Sequence, residues 1–137
     1  MHVVPRWVIR VALLAPVVAS SGCLLPVSVS DAHDGFVRDI ATGAPIAGAR
    51  VVHEVFRVEP TTDAPGARHK RTDLATDDAG RYSIDSDRDW LFVWPTRAGW
   101  PRFTARLTVD APGYQALVLR MQGDRLPSEA LLEPTSR

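Results

Sequence analysis

The residues of this 137-residue chain whose types and spacing could do chemistry fall into a few groups. Trp90, Phe92 and Trp94 alternate, and Trp100 and Phe103 follow closely. On a strand, alternating residues share one face, with Leu91 and Val93 turned to the other. Three such rings would make a platform able to stack on sugar rings or to anchor a protein partner. The same pattern also suits a strand buried on both sides. Asp85, Asp87 and Asp89 alternate as well, which invites a calcium reading. The calcium-loop template wants Gly at position 6 and Glu at position 12, where this chain has Trp90 and Thr96, and Arg88 offsets the charge. A solvated acidic turn is expected there, and neither metal nor cofactor is expected anywhere. The histidines His2, His33, His53 and His69 lack ligand spacing. His53 and Glu54, adjacent on a strand, would point to opposite faces and so do not form an acid/base dyad. No Gly-x-Ser-x-Gly elbow presents a serine nucleophile. Catalysis is therefore not expected.

Cys23 is the single cysteine, so no disulfide can form within the chain. Its position is informative. Met1 to Arg10 carries Arg6 and Arg10 and no acid; the apolar run Val11 to Ala19 follows, then Ser20, Ser21, Gly22 and Cys23. A basic head, a short apolar middle and a small-residue exit make the layout of an export signal. Nine helical residues rise about 14 Å, roughly half the hydrocarbon core, too little for a permanent span. Two cleavage points compete. Cutting after Ala19 suits an ordinary signal peptidase and leaves Cys23 as a free thiol. The run ending in Gly22-Cys23 instead resembles the lipobox of bacterial lipoproteins, with Ser20 departing from the leucine usual there. That resemblance implies cleavage before Cys23, acylation of Cys23, and a membrane partner through the lipid anchor. Leu24 after the cysteine, rather than aspartate, points to the outer membrane of the cell envelope, with the domain facing the periplasm or the surface.

The overall balance of 16 basic and 16 acidic groups gives no long-range pull on nucleic acid, so no such partner is expected. Two of the basic groups, Arg6 and Arg10, leave with the signal, which makes the remainder slightly acidic. Residues 23–33 contain Pro26 and two serines and read as a tether. From residue 34 to 134, turn signals recur at short intervals: Thr42-Gly43-Ala44-Pro45, Asp63 to Gly66, Asp77 to Gly80, and Ala111-Pro112-Gly113. The pieces between them are too short for helices and suggest an antiparallel sandwich. Phe103 to Asp110 is the clearest strand, with Phe103, Ala105, Leu107 and Val109 on one face. Gln115 to Met121 repeats the pattern, and Pro112-Gly113 between them suits a type II turn. Ala49 to Val58 carries the doublets Val51-Val52 and Val55-Phe56, which require cover on both faces or a bulge. Arg71 to Ala75, Arg81 to Ile84 and Leu131-Leu132 are shorter pieces.

Gly35 to Asp39, Thr42 to Val51, Thr76 to Ile84 and Ala111 to Tyr114 occur in the order that resembles the carboxypeptidase regulatory-like domain. The resemblance spans residues 34–121 and implies a seven-stranded antiparallel, Ig-like or prealbumin-like (transthyretin-like) β-sandwich. Residues 85–103 look inserted relative to it. The function it implies is non-catalytic: an envelope lipoprotein displaying the sandwich for structural, adhesive or ligand-contact roles, its partner a glycan or an envelope protein. A carbohydrate-binding module using Trp90, Phe92, Trp94 and Trp100 is the alternative. A transthyretin-like hydrolase of 5-hydroxyisourate is a more distant third, because that family ends in Tyr-Arg-Gly-Ser and this chain ends Glu133-Pro134-Thr135-Ser136-Arg137.

Overall fold

The computed structural model describes residues 23–59, 61–93, 101–121 and 125–135. The segment read as an export signal, residues 1–22, lies outside them. The described residues form nine strands: β1 (Cys23–Ser30), β2 (His33–Asp39), β3 (Arg50–Val58), β4 (Pro65–Ala75), β5 (Arg81–Ile84), β6 (Asp87–Val93), β7 (Phe103–Asp110), β8 (Leu117–Arg120) and β9 (Glu129–Leu132). They make a four-stranded sheet in the order β4-β3-β7-β8, a three-stranded sheet β5-β2-β9, and a two-stranded ribbon β1-β6. The chain is thus all-β and sandwich-like. It departs from the expected plan in carrying nine strands and in one parallel pair, β2 with β9. The two larger sheets hold seven of the nine strands and the ribbon holds the other two.

The core sits between those larger sheets. Val51, Leu107 and Val109 come from one, and Val37, Tyr82, Ile84, Ala130 and Leu132 from the other, all buried. Strand alternation produces this: in β7, Ala105, Leu107 and Val109 are buried while the residues between them are half-buried. β3 differs, because Val51 through Val55 are all buried. Both explanations of its doublets hold at once. The register against β4 slips near Val55, Phe56 and Val58, and the outer face around Glu54 is covered by long arginine side chains from the neighbouring strands.

The turns follow from their residues. Gly113 takes φ +84°, and Tyr114 N–H donates to the Ala111 carbonyl at 3.1 Å, closing the turn between β7 and β8. Asp39 ends β2 and accepts the amides of Ala41 at 2.7 Å and Thr42 at 3.0 Å and the Tyr114 hydroxyl at 2.9 Å. These donors, the Thr42 amide first and then Tyr114, hold its carboxyl below the usual range. Asp77 accepts the amides of Ala79 and Arg81 and so starts β5. Gly35 faces Tyr82 across β2 and β5, and a side chain there would collide with the tyrosine ring.

Residues 23–30, read as a tether, form β1 instead, paired antiparallel with β6 from Cys23–Val93 to Ser30–Asp87. Pro26 is tolerated because each strand of a two-stranded ribbon is an edge. The serines lie among the exposed and half-buried positions of the strand.

Candidate functional site

The ribbon and the sandwich meet at a second, smaller apolar cluster of Val29, Val55 and Ala105, against which Phe103, Met121 and Leu126 pack. Two polar side-chain contacts hold the same junction. Lys70 of β4 reaches Asp87 of β6 at 2.6 Å, and His69 lies 3.1 Å from Asp89. His69 also packs on Phe103, ring centres 5.1 Å apart. Of the alternating aspartates, Asp85 lies exposed in the connection between β5 and β6, whereas Asp87 and Asp89 sit in β6 and face Lys70 and His69 of β4 rather than forming a solvated turn.

Beside this junction lies a cavity of about 820 Å³. The β1–β2 corner, β3, β7 and the segments around Met121 and Ser128 line it. Its walls are mixed: Val29, Phe103, Met121 and Leu126 are apolar, whereas Ser30, Asp31, His33, His53 and Arg125 are polar. Pockets of this volume suit a small organic ligand. His53 is the deepest polar group, with 3% of its surface exposed. It makes no side-chain hydrogen bond to another described residue. The His53 side chain is among the groups that line the cavity. Burial lowers its pKa, with His33 and Lys70 adding to the effect, and the imidazole is neutral at pH 7. A neutral imidazole offers one donor and one acceptor to an occupant. His33 stands at the rim and shares a hydrogen bond of 3.3 Å with the Tyr82 hydroxyl, the tautomer setting which of them donates. Tyr82 itself has its pKa pushed up to about 12 by burial.

Glu54 faces the other side of β3, as alternation requires. Its carboxylate, 8% exposed, takes two hydrogen bonds from Arg106 at 2.6 and 3.1 Å and one from Arg68 at 3.0 Å. Arg106 also lies over the Phe56 ring at 5.1 Å. Both arginines hold Glu54 below the usual carboxylate range, Arg106 the more strongly. A carboxylate so engaged has little basicity left, and Glu54 and His53 are separated by the sheet. Among the described residues, no group of three or more His, Cys, Asp or Glu side chains is placed to hold a metal ion.

Of the residues singled out in the sequence, Trp90 lies on β6 and is 63% exposed. Burial of this strand on both sides is thereby excluded at that position. Phe92 is on β6, opposite Leu24 in the register, and Cys23 is the first residue of β1. Trp94 and Trp100 lie outside the described residues. Sequence reasoning missed the cavity, because its histidines are 20 positions apart on strands of different sheets. A histidine set between the apolar doublets Val51-Val52 and Val55-Phe56 of β3 was the available signal.

Neither the family models nor the curated proteins contain a match to this chain. Among solved structures, a similar chain is 3-chlorocatechol 1,2-dioxygenase from Rhodococcus opacus 1CP, at 14% identity and a TM-score of 0.41. That match covers 86% of this chain and 66% of the dioxygenase, just under two thirds of its length.

Proposed function

We propose that this chain is a lipid-anchored protein of the bacterial envelope whose prealbumin-like sandwich serves ligand contact rather than catalysis. The observation that carries the ligand-contact role is the cavity beside the ribbon, lined by a buried neutral imidazole and by apolar side chains. Such a lining suits a small amphiphile: an apolar body against Phe103, Met121 and Leu126, and a hydroxyl or carboxyl head against His53 and the rim groups His33 and Arg125. The seven strands of the two larger sheets, and the turns at Gly43, Gly80 and Gly113, support the prealbumin-like type of sandwich. The basic and apolar segment ending at Cys23 supports the anchor, and Leu24 supports the outer membrane.

A thermal-shift panel of medium-chain fatty acids, fatty alcohols and soluble monosaccharides tests the ligand. At least one amphiphile should raise the melting temperature of the mature chain, and the shift should disappear in Met121→Trp, which fills the cavity, and shrink in His53→Phe. A shift unchanged in both variants, or none across the panel, would contradict this use of the cavity.

A further inference from the structure

The β1–β6 ribbon has an outer face whose side chains at Leu24, Pro26, Arg88 and Trp90 are exposed among the described residues. Cross-strand partners in an antiparallel pair share a face. Pro26 and Ser28 therefore lie on the same side as their partners Trp90 and Arg88, and alternation puts Leu24 there too. Leu24 is 59% exposed, and Pro26, Arg88 and Trp90 are exposed too. The alternate positions Leu25, Val27 and Leu91 are half-buried and Val29 is buried, so the opposite face is the one turned to the sandwich.

The order of residues along this outer face points to its occupant. Its apolar end, Leu24, Pro26 and Trp90, is the end at Cys23, and Arg88 lies further along. The basic and apolar stretch of residues 1–22 runs directly into Cys23. Trp90 pairs with a residue three positions from Cys23, about 10 Å along a strand. Whatever holds Cys23 at a bilayer therefore holds this face within the depth of the headgroup layer, where tryptophan partitions well and an arginine can meet anionic phosphates. A two-stranded ribbon is marginal by itself, so an apolar face left in water would lack the support that a lipid surface supplies.

We propose that the outer face of the ribbon rests on the lipid bilayer, with Leu24, Pro26 and Trp90 in the interface and Arg88 at the headgroups. This rests on the reading that the chain is anchored at Cys23. It assigns Trp90 to lipid and not to a glycan.

The test uses full-length protein expressed with its signal, purified from membranes and reconstituted into vesicles of three parts phosphatidylethanolamine to one part phosphatidylglycerol, with or without brominated acyl chains. Flotation of the vesicles reports the anchor. The difference in emission between wild type and Trp90→Phe reports Trp90, and the substitution keeps the face apolar. Bromolipid should quench most of that difference, and acrylamide should quench it far less on vesicles than in detergent. A chain that floats while its Trp90 emission ignores bromolipid and yields to acrylamide would overturn the bilayer seat and leave the anchor standing. Shielding of Trp90 by soluble peptidoglycan fragments without bromolipid quenching would overturn it in favour of a glycan. A chain that does not float would overturn the anchor and this seat together.

Discussion

His53 and Glu54 are neighbours in sequence and have opposite roles, and the pleat of β3 is what separates them. Glu54 is ionised and held by Arg106 and Arg68 on the outer face, and His53 is neutral and lines the cavity. The consequences for pH follow from the direction of each shift. The pKa of His53 is depressed from 6.5 on folding, so the unfolded chain takes up the proton first as pH falls, and stability begins to drop below about pH 6.5. Asp39, Glu54 and Asp73 are also depressed on folding, Asp73 to about 2 through Arg71 and Arg50. Their contribution is complete above the ordinary carboxylate range and is lost progressively as pH falls below about 4 toward 2. Chemical denaturation between pH 8 and pH 3 should therefore show two declines. His53→Gln should abolish the one that starts near pH 6.5 and leave the acid one in place; a variant that retained both would show that His53 is not buried and neutral.

At the scale of the element, much was legible because the pattern was local. β7 and β5 have the bounds that their alternation implies, Phe103–Asp110 and Arg81–Ile84, and the Pro112-Gly113 turn closes as its residues require. β1 was not legible. Pro26 and the serines lower strand propensity, and what makes the segment a strand is a partner, β6, some 60 positions away. The cavity was hidden for the same reason, since it exists only once β1, β3 and β7 meet. The ribbon so formed is held to the sandwich by Val29 and by the Lys70–Asp87 and His69–Asp89 pairs, whereas β3 is hydrogen-bonded on both sides. Hydrogen exchange should therefore be fastest in β1 and β6 and slowest in β3 and β7. Lys70→Ala should speed exchange in β6 with little change in β7. Equal protection of ribbon and sandwich would contradict a separately held ribbon.

At the scale of the whole molecule, the account has three parts: a bilayer attachment at Cys23, a ribbon whose apolar end starts at that residue, and a sandwich carrying a lined cavity at the junction. The sandwich alone says little about activity, because one scaffold of this kind can carry many functions. The ribbon joins residues 23–30 to residues 87–93, which fall within the stretch 85–103 expected from the sequence to be an insertion. Everything proposed about orientation depends on how the chain is processed at Cys23. Mass spectrometry of the N-terminal peptide, taken from the membrane fraction of bacteria expressing the full chain, measures this directly. The account predicts a mature protein that begins at Cys23 and carries acyl chains on it. A mature protein that begins at Ser20, with an unmodified Cys23 thiol, would contradict it.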